Sequence, residues 1–178
     1  MNSGSFRHLA GRFFGALRPG GASPGDRAWA ESVLLPGEFA LWARQPGHDQ
    51  RHTAGVARAV EAALAGGPHA GDPRWPACAL LHDIGKLASG LSIPNRVLAT
   101  LVDKATGGAV ADWEDRRGLR RRIALYLRHP EIGAEMIEIA GGRVEVAHWA
   151  RAHHDRARLD PMLLPAPVVV ALVEADND

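Results

Sequence analysis

His82 and Asp83 stand side by side, after the apolar run Ala77-Cys78-Ala79-Leu80-Leu81 and before Ile84-Gly85-Lys86. An imidazole nitrogen and a carboxylate are both metal donors. Helix neighbours point about a quarter-turn apart, yet one ion can take both groups. The carboxylate has two oxygens and could bridge two ions while the imidazole holds one. Gly85 permits a sharp turn or a close backbone approach. Lys86 would lie one helical turn past Asp83 on the same face, placed to hold an anion drawn to those ions. A buried Asp beside a buried His is costly without partners, so further polar groups are expected around them. The plainer reading is a helix end capped by a polar pair, and the rest of the chain weighs against it.

The chain has nine His, and their spacing matters more than their number. His48 and His52 are four residues apart, so they share one face of a helix expected from about His48 to Ala65. Val56, Val60 and Leu64 form the apolar stripe of that helix. His129 precedes Pro130, which suits the first turn of a helix over 130–140. The doublet His153-His154 closes a helix that begins at Val144. A last helix starting near Pro167 carries an apolar run that ends at Asp176. That residue is two places from the end of the sequence, where a helix would fray unless the natural chain continues or a metal pins this end. His148 is expected to be structural or exposed, and His69 to be solvated in the loop 66–73.

His82-Asp83-Ile84-Gly85-Lys86 resembles the signature of the HD superfamily of metal-dependent phosphohydrolases, of the HDIG type. His129-Pro130-Glu131-Ile132-Gly133 is similar to the His-Pro-x-x-Gly motif of its two-metal members. Ile93-Pro94 resembles the Ile-Pro segment of cyclic-dinucleotide phosphodiesterases of the HD-GYP group. The resemblance covers roughly residues 48–178 and implies an all-α, HD-domain helical bundle. It implies His52, His82, Asp83 and Asp176 around one metal, and Asp83, His129, His153 and His154 around a second, with Asp83 bridging. His48 falls where some three-metal relatives carry a ligating Glu, so it would support the ligands or serve a third ion. The implied cofactors are two divalent ions: iron, manganese, zinc, nickel or magnesium.

Two such ions can activate a hydroxide for in-line attack on phosphorus. Lys86 would stabilise the charge that builds on the phosphoryl oxygens, and Asp83 and Lys86 would be the catalytic residues. Arg96 could reach a phosphate. The substrate implied is a phosphorylated small molecule: a nucleotide-type phosphomonoester or phosphodiester, cyclic dinucleotides included. The chain departs from the HD-GYP pattern after His154, where Asp155-Arg156-Ala157-Arg158-Leu159-Asp160-Pro161 contains no Gly-Tyr-Pro loop. A di-iron oxygenase of the HD fold shares the same ligand order, but uses one His where this chain has His153-His154. A metal-bound regulatory module without turnover is a third reading.

The elements that must position these groups fit one domain. The chain has 178 residues, enough for a sizeable core, and a formal net charge of +1, which creates no global attraction to nucleic acid or membrane. Residues 1–25 are expected to be a basic amphipathic helix and linker, and 26–178 the HD domain. Phe6, Leu9, Phe13, Phe14 and Leu17 oppose Arg7, Arg12 and Arg18, so this segment could lie weakly on an anionic membrane surface. It lacks the apolar centre of a secretory signal. A single Cys78 points to a reducing, cytoplasmic setting. Asp26 is expected to cap a helix through about Leu35. Residues 112–128 are expected to form one charged helix with Glu114 and Asp115 in its first turn. No aromatic side chains interleave its arginines, so it offers no clear nucleic-acid site.

Overall fold

A computed structural model describes residues 20–106, 110 and 113–177, all helix, turn or loop with no strand among them. The expected N-terminal amphipathic helix falls on residues 1–19, outside the described residues. The helices run α1 Pro24–Val33, α2 Pro36–Trp42, α3 Gly47–Ala63, α4 Arg74–Leu81, α5 Lys86–Ser89, α6 Ile93–Thr106, α7 Leu119–Leu127, α8 His129–Ile139, α9 Val144–Ala152 and α10 Ala166–Asn177. The all-α expectation from the sequence holds. None of these helices is long and apolar enough to cross a membrane.

Helix α4 is the centre of the bundle. Every residue from Trp75 to Leu81 is buried, as expected of a helix apolar on all sides. It packs against α1, α2, α3, α9 and α10. Burial of Leu80 or Leu81, both fully enclosed, stabilises the fold by roughly 1.5–3 kcal/mol each. The chain therefore leaves its best-packed element directly into His82 and Asp83.

Polar pins fix the surrounding helices. Glu38 is fully buried. It accepts the backbone N–H of Leu35 at 2.9 Å and that of Arg143 at 2.8 Å, and pairs with the Arg143 guanidinium at 3.1 Å. A Cβ on Gly37 would lie 2.0 Å from the Ala140 carbonyl oxygen, so only glycine lets α2 approach the turn after α8. Glu38→Gln should cost about 3 kcal/mol, because it leaves the Arg143 charge half-buried without its counter-ion. Chemical denaturation would check this, and an unchanged midpoint would show the pin to be dispensable.

Two expectations need correction. Ser23, not Asp26, caps α1: its hydroxyl accepts the Asp26 N–H at 3.0 Å, with Pro24 at the first helical position. Residues 112–128 are not one helix. Gly118, at φ +66°, sets the start of α7 at Leu119 and leaves Glu114 and Asp115 in the preceding turn. Charge periodicity alone could not show this break, which glycine makes cheap.

Candidate metal centre

His82 and Asp83 follow the end of a buried helix, as the run Ala77-Cys78-Ala79-Leu80-Leu81 suggests, rather than standing as neighbours on it. Helix α4 ends at Leu81, and residues 82–85 form successive tight turns, with Ile84 N–H bonded to Leu81 C=O and Lys86 N–H to Asp83 C=O. Lys86 still comes back to Asp83, and its ammonium donates to Asp83 Oδ2. The lysine expected to hold an incoming anion is thus held by the carboxylate itself.

His82 and His153 follow the last residues of α4 and α9, and His129 lies two residues past the end of α7. The Nδ1–H of each donates to the carbonyl three residues earlier: Ala79 at 2.8 Å, Tyr126 at 2.7 Å and Ala150 at 2.8 Å. Carbonyls of a last helical turn have no helical partner, and here they orient imidazoles. In the neutral tautomer this leaves each Nε2 lone pair facing the centre.

Asp83 sits between the imidazoles. Its Oδ1 is 3.3 Å from His129 Nε2 and 3.8 Å from His153 Nε2; its Oδ2 is 3.3 Å from His82 Nε2. Asp176 Oδ1 lies 3.5 Å from the Nε2 of both His52 and His82. Two donor groups result, each with ligand atoms within 4.8 Å of one another: His52, His82 and Asp83, and His129, His153 and His154. His82, Asp83 and His129 are only 2%, 8% and 5% exposed. The Nε2 atoms of His82, His129 and His153 are buried yet make no hydrogen bond among the described residues. Enclosed nitrogens are normally satisfied, and a nitrogen-rich set with carboxylates suits divalent transition ions. The residues present therefore fit metal.

The remaining sequence-selected residues lie around this centre. His48 Nε2 is 3.2 Å from Asp49 Oδ1, and Arg96 grips Asp49 rather than standing open. His148 is structural, its Nε2 accepting the Asp160 N–H at 2.9 Å. His69 is not simply solvated but leans edge-on against Trp75. That contact borders a groove of about 300 Å³ lined by Trp29, Leu64, Asp72 and Trp75, which shares no residue with the donor groups.

Sequence reasoning missed the supports. Gln45 is buried and joins α3 to the end of α4. It donates to Leu80 C=O at 3.3 Å and accepts from Thr53 Oγ1 at 3.2 Å, and Trp42 Nε1 donates to Thr53 at 3.1 Å. This fixes the turn that carries His52. The available signal was Thr53, a polar residue in register with the Val56–Val60 stripe.

The electrostatics couple protons to this centre. Burial alone would lower His82, but Asp83 and Asp176 outweigh it and push it up to about 10. Burial, reinforced by His82 and His154, lowers His153 to about 3; burial and His129 lower His154 to about 4. Burial would raise Asp83, yet Lys86 and His82 hold it well below the usual carboxylate range. Below an unfolded His value near 6.5 the unfolded chain binds protons that His153 and His154 refuse, so stability falls with falling pH. The stability that protonated His82 contributes is present below 6.5 and lost as pH rises towards 10. The metal-free protein should thus melt highest near pH 6.5 and lower on both sides. Melting in chelator across pH 5–9 checks this; a steady rise to pH 9 would contradict it.

An all-helical bundle that converges histidines and aspartates on one buried centre defines a class of helical metal-site protein. Residues 51–175 match the family model of the HD domain, and the chain belongs to the HD domain family. HD domains bind divalent metals and are commonly metal-dependent phosphohydrolases. Neither a curated protein nor a solved structure matches the chain.

Proposed function

We propose that the protein is a two-metal phosphohydrolase of the HDIG type that cleaves a nucleotide-type phosphomonoester or phosphodiester with water. The observation that carries the reading is Asp83, whose two oxygens face the two histidine groups separately. Two divalent ions bound there would supply a nucleophilic hydroxide near neutral pH and neutralise a phosphoryl oxygen. His52, His82, Asp83 and Asp176 would hold one ion; Asp83, His129, His153 and His154 the other. Once Asp83 is engaged as a ligand, Lys86 is released from it and can donate to a phosphoryl oxygen that gains charge in the transition state. While Lys86 is paired with Asp83, burial lowers it but Asp83 and Tyr126 raise it further. The leaving ester oxygen takes its proton from solvent at the open side, where His52 and Asp176 are partly exposed.

Two donors at 153–154, grouped with His129, favour hydrolysis over an oxygenase, which keeps one His there and a position for oxygen. The lack of a Gly-Tyr-Pro loop leaves the nucleotide class broad. Metal analysis with a panel of nucleotides, cyclic dinucleotides and bis(p-nitrophenyl) phosphate tests the reading. The expected result is two metal equivalents and hydrolysis that chelator abolishes and metal restores. Oxygen uptake with a mixed-valent iron signal, and no ester cleavage, would overturn it.

A further inference from the structure

Helix α6 buries only Ala99 completely, yet its Arg96 side chain runs inward and is 13% exposed. The guanidinium is fixed at three points. Nη1 donates to Asp49 Oδ1 at 2.8 Å, Nη2 to Asp49 Oδ2 at 2.9 Å and Nε to Leu91 C=O at 3.3 Å. Guanidinium has five N–H groups, so two remain, one on each η nitrogen. Asp49 lies three residues before His52 on α3 and so shares its face. The charge of Arg96 is felt at Lys86 and at His48, and Arg96 itself feels Asp83. An apolar contact could pin α6 without desolvating an ion pair. A guanidinium held rigid by Asp49 near His52, with one N–H left on each η nitrogen, is instead suited to meeting an anion.

We propose that Arg96, oriented by Asp49, recognises a second phosphoryl group on the substrate, distinct from the one that reacts. The reacting group already has the metal centre and Lys86. Arg96 is held at Asp49, one helical turn before His52 on the same face of α3, and selects substrates that carry another phosphate within its reach. Arg96 is then a specificity residue and Asp49 its positioning residue. This rests on the phosphohydrolase reading above.

The test is calorimetric binding to the metal-loaded protein of adenosine 5′-phosphate and adenosine 3′,5′-bisphosphate, with metal content and phosphoester turnover measured on each sample. Wild type should prefer the bisphosphate on the order of ten- to a hundredfold. Arg96→Gln should abolish that preference. Arg96→Lys, which keeps charge but not the fork, and Asp49→Asn, which loosens the fork, should each lose most of it with metal content unchanged. The two milder variants decide the matter if Arg96→Gln fails to fold. A wild type without the preference, or variants that keep it, would overturn the assignment, as would its loss only alongside lost metal. Turnover without the preference would sink this inference alone; the preference without turnover would sink the phosphohydrolase reading and leave Arg96 standing.

Discussion

Asp83→Ala should lose both metal equivalents and all phosphoester cleavage while the bundle remains largely helical. The carboxylate reaches both donor sets: it is 3.3 Å from His82 on one side and from His129 on the other. Removing even a partner behind a ligand typically costs 10–100-fold in affinity, and a shared ligand should cost more. A second effect comes with it. In the metal-free protein Asp83 compensates the Lys86 ammonium and the charged form of His82. Its loss leaves a buried cation, at about 3–5 kcal/mol. Asp83→Ala with Lys86→Met should recover part of that stability and none of the metal, which separates charge balance from ligation. His148→Ala, whose ring only bonds the Asp160 backbone, is the control. Two equivalents retained in Asp83→Ala would mean that the histidine groups bind metal without a bridge, and the two-ion reading would fail.

The chemistry-bearing residues were legible because they are few, rare and compactly spaced: His82-Asp83 beside Gly85 and Lys86, His129-Pro130, and His153-His154. The helices were legible for the same reason the core is, since α4 is apolar throughout and α3 carries a clean stripe. What holds these parts in register was not legible. Glu38 and Arg143 are 105 residues apart, and Asp49 and Arg96 are 47 apart; a local pattern contains no record of such pairs. Nor does it show that three histidines follow helix ends and use the terminal carbonyls to aim their rings. Arg96 shows the limit well. An arginine near a phosphate-type site suggests a ready anion contact, and only the coordinates reveal that Asp49 already holds its fork.

Gly85→Ala should be severely damaging for a single added methyl. A Cβ there would lie 2.0 Å from the His129 carbonyl oxygen and 2.6 Å from the Gly133 nitrogen. Both are backbone atoms at the start of α8, so no rotamer change relieves the clash; the helix must withdraw. Overpacking a tight core typically costs 1–3 kcal/mol, and backbone displacement places this case at about 3 kcal/mol or above. The functional loss should exceed the loss of stability. His129 rides on the displaced segment, and its 3.3 Å approach to Asp83 depends on the glycine pair. The variant should therefore keep metal at His52, His82 and Asp176 and lose the equivalent at His129, His153 and His154. Gly133→Ala supplies the graded comparison. Its Cβ would meet Gly85 N at 3.1 Å and the Ile84 methyl at 3.3 Å, which shifts of a few tenths of an ångström can accommodate. A milder drop in melting temperature and near-complete metal are expected there. Equal behaviour of the two variants, or two equivalents of metal in Gly85→Ala, would show that the close crossing of the two glycine turns does not position the second histidine group.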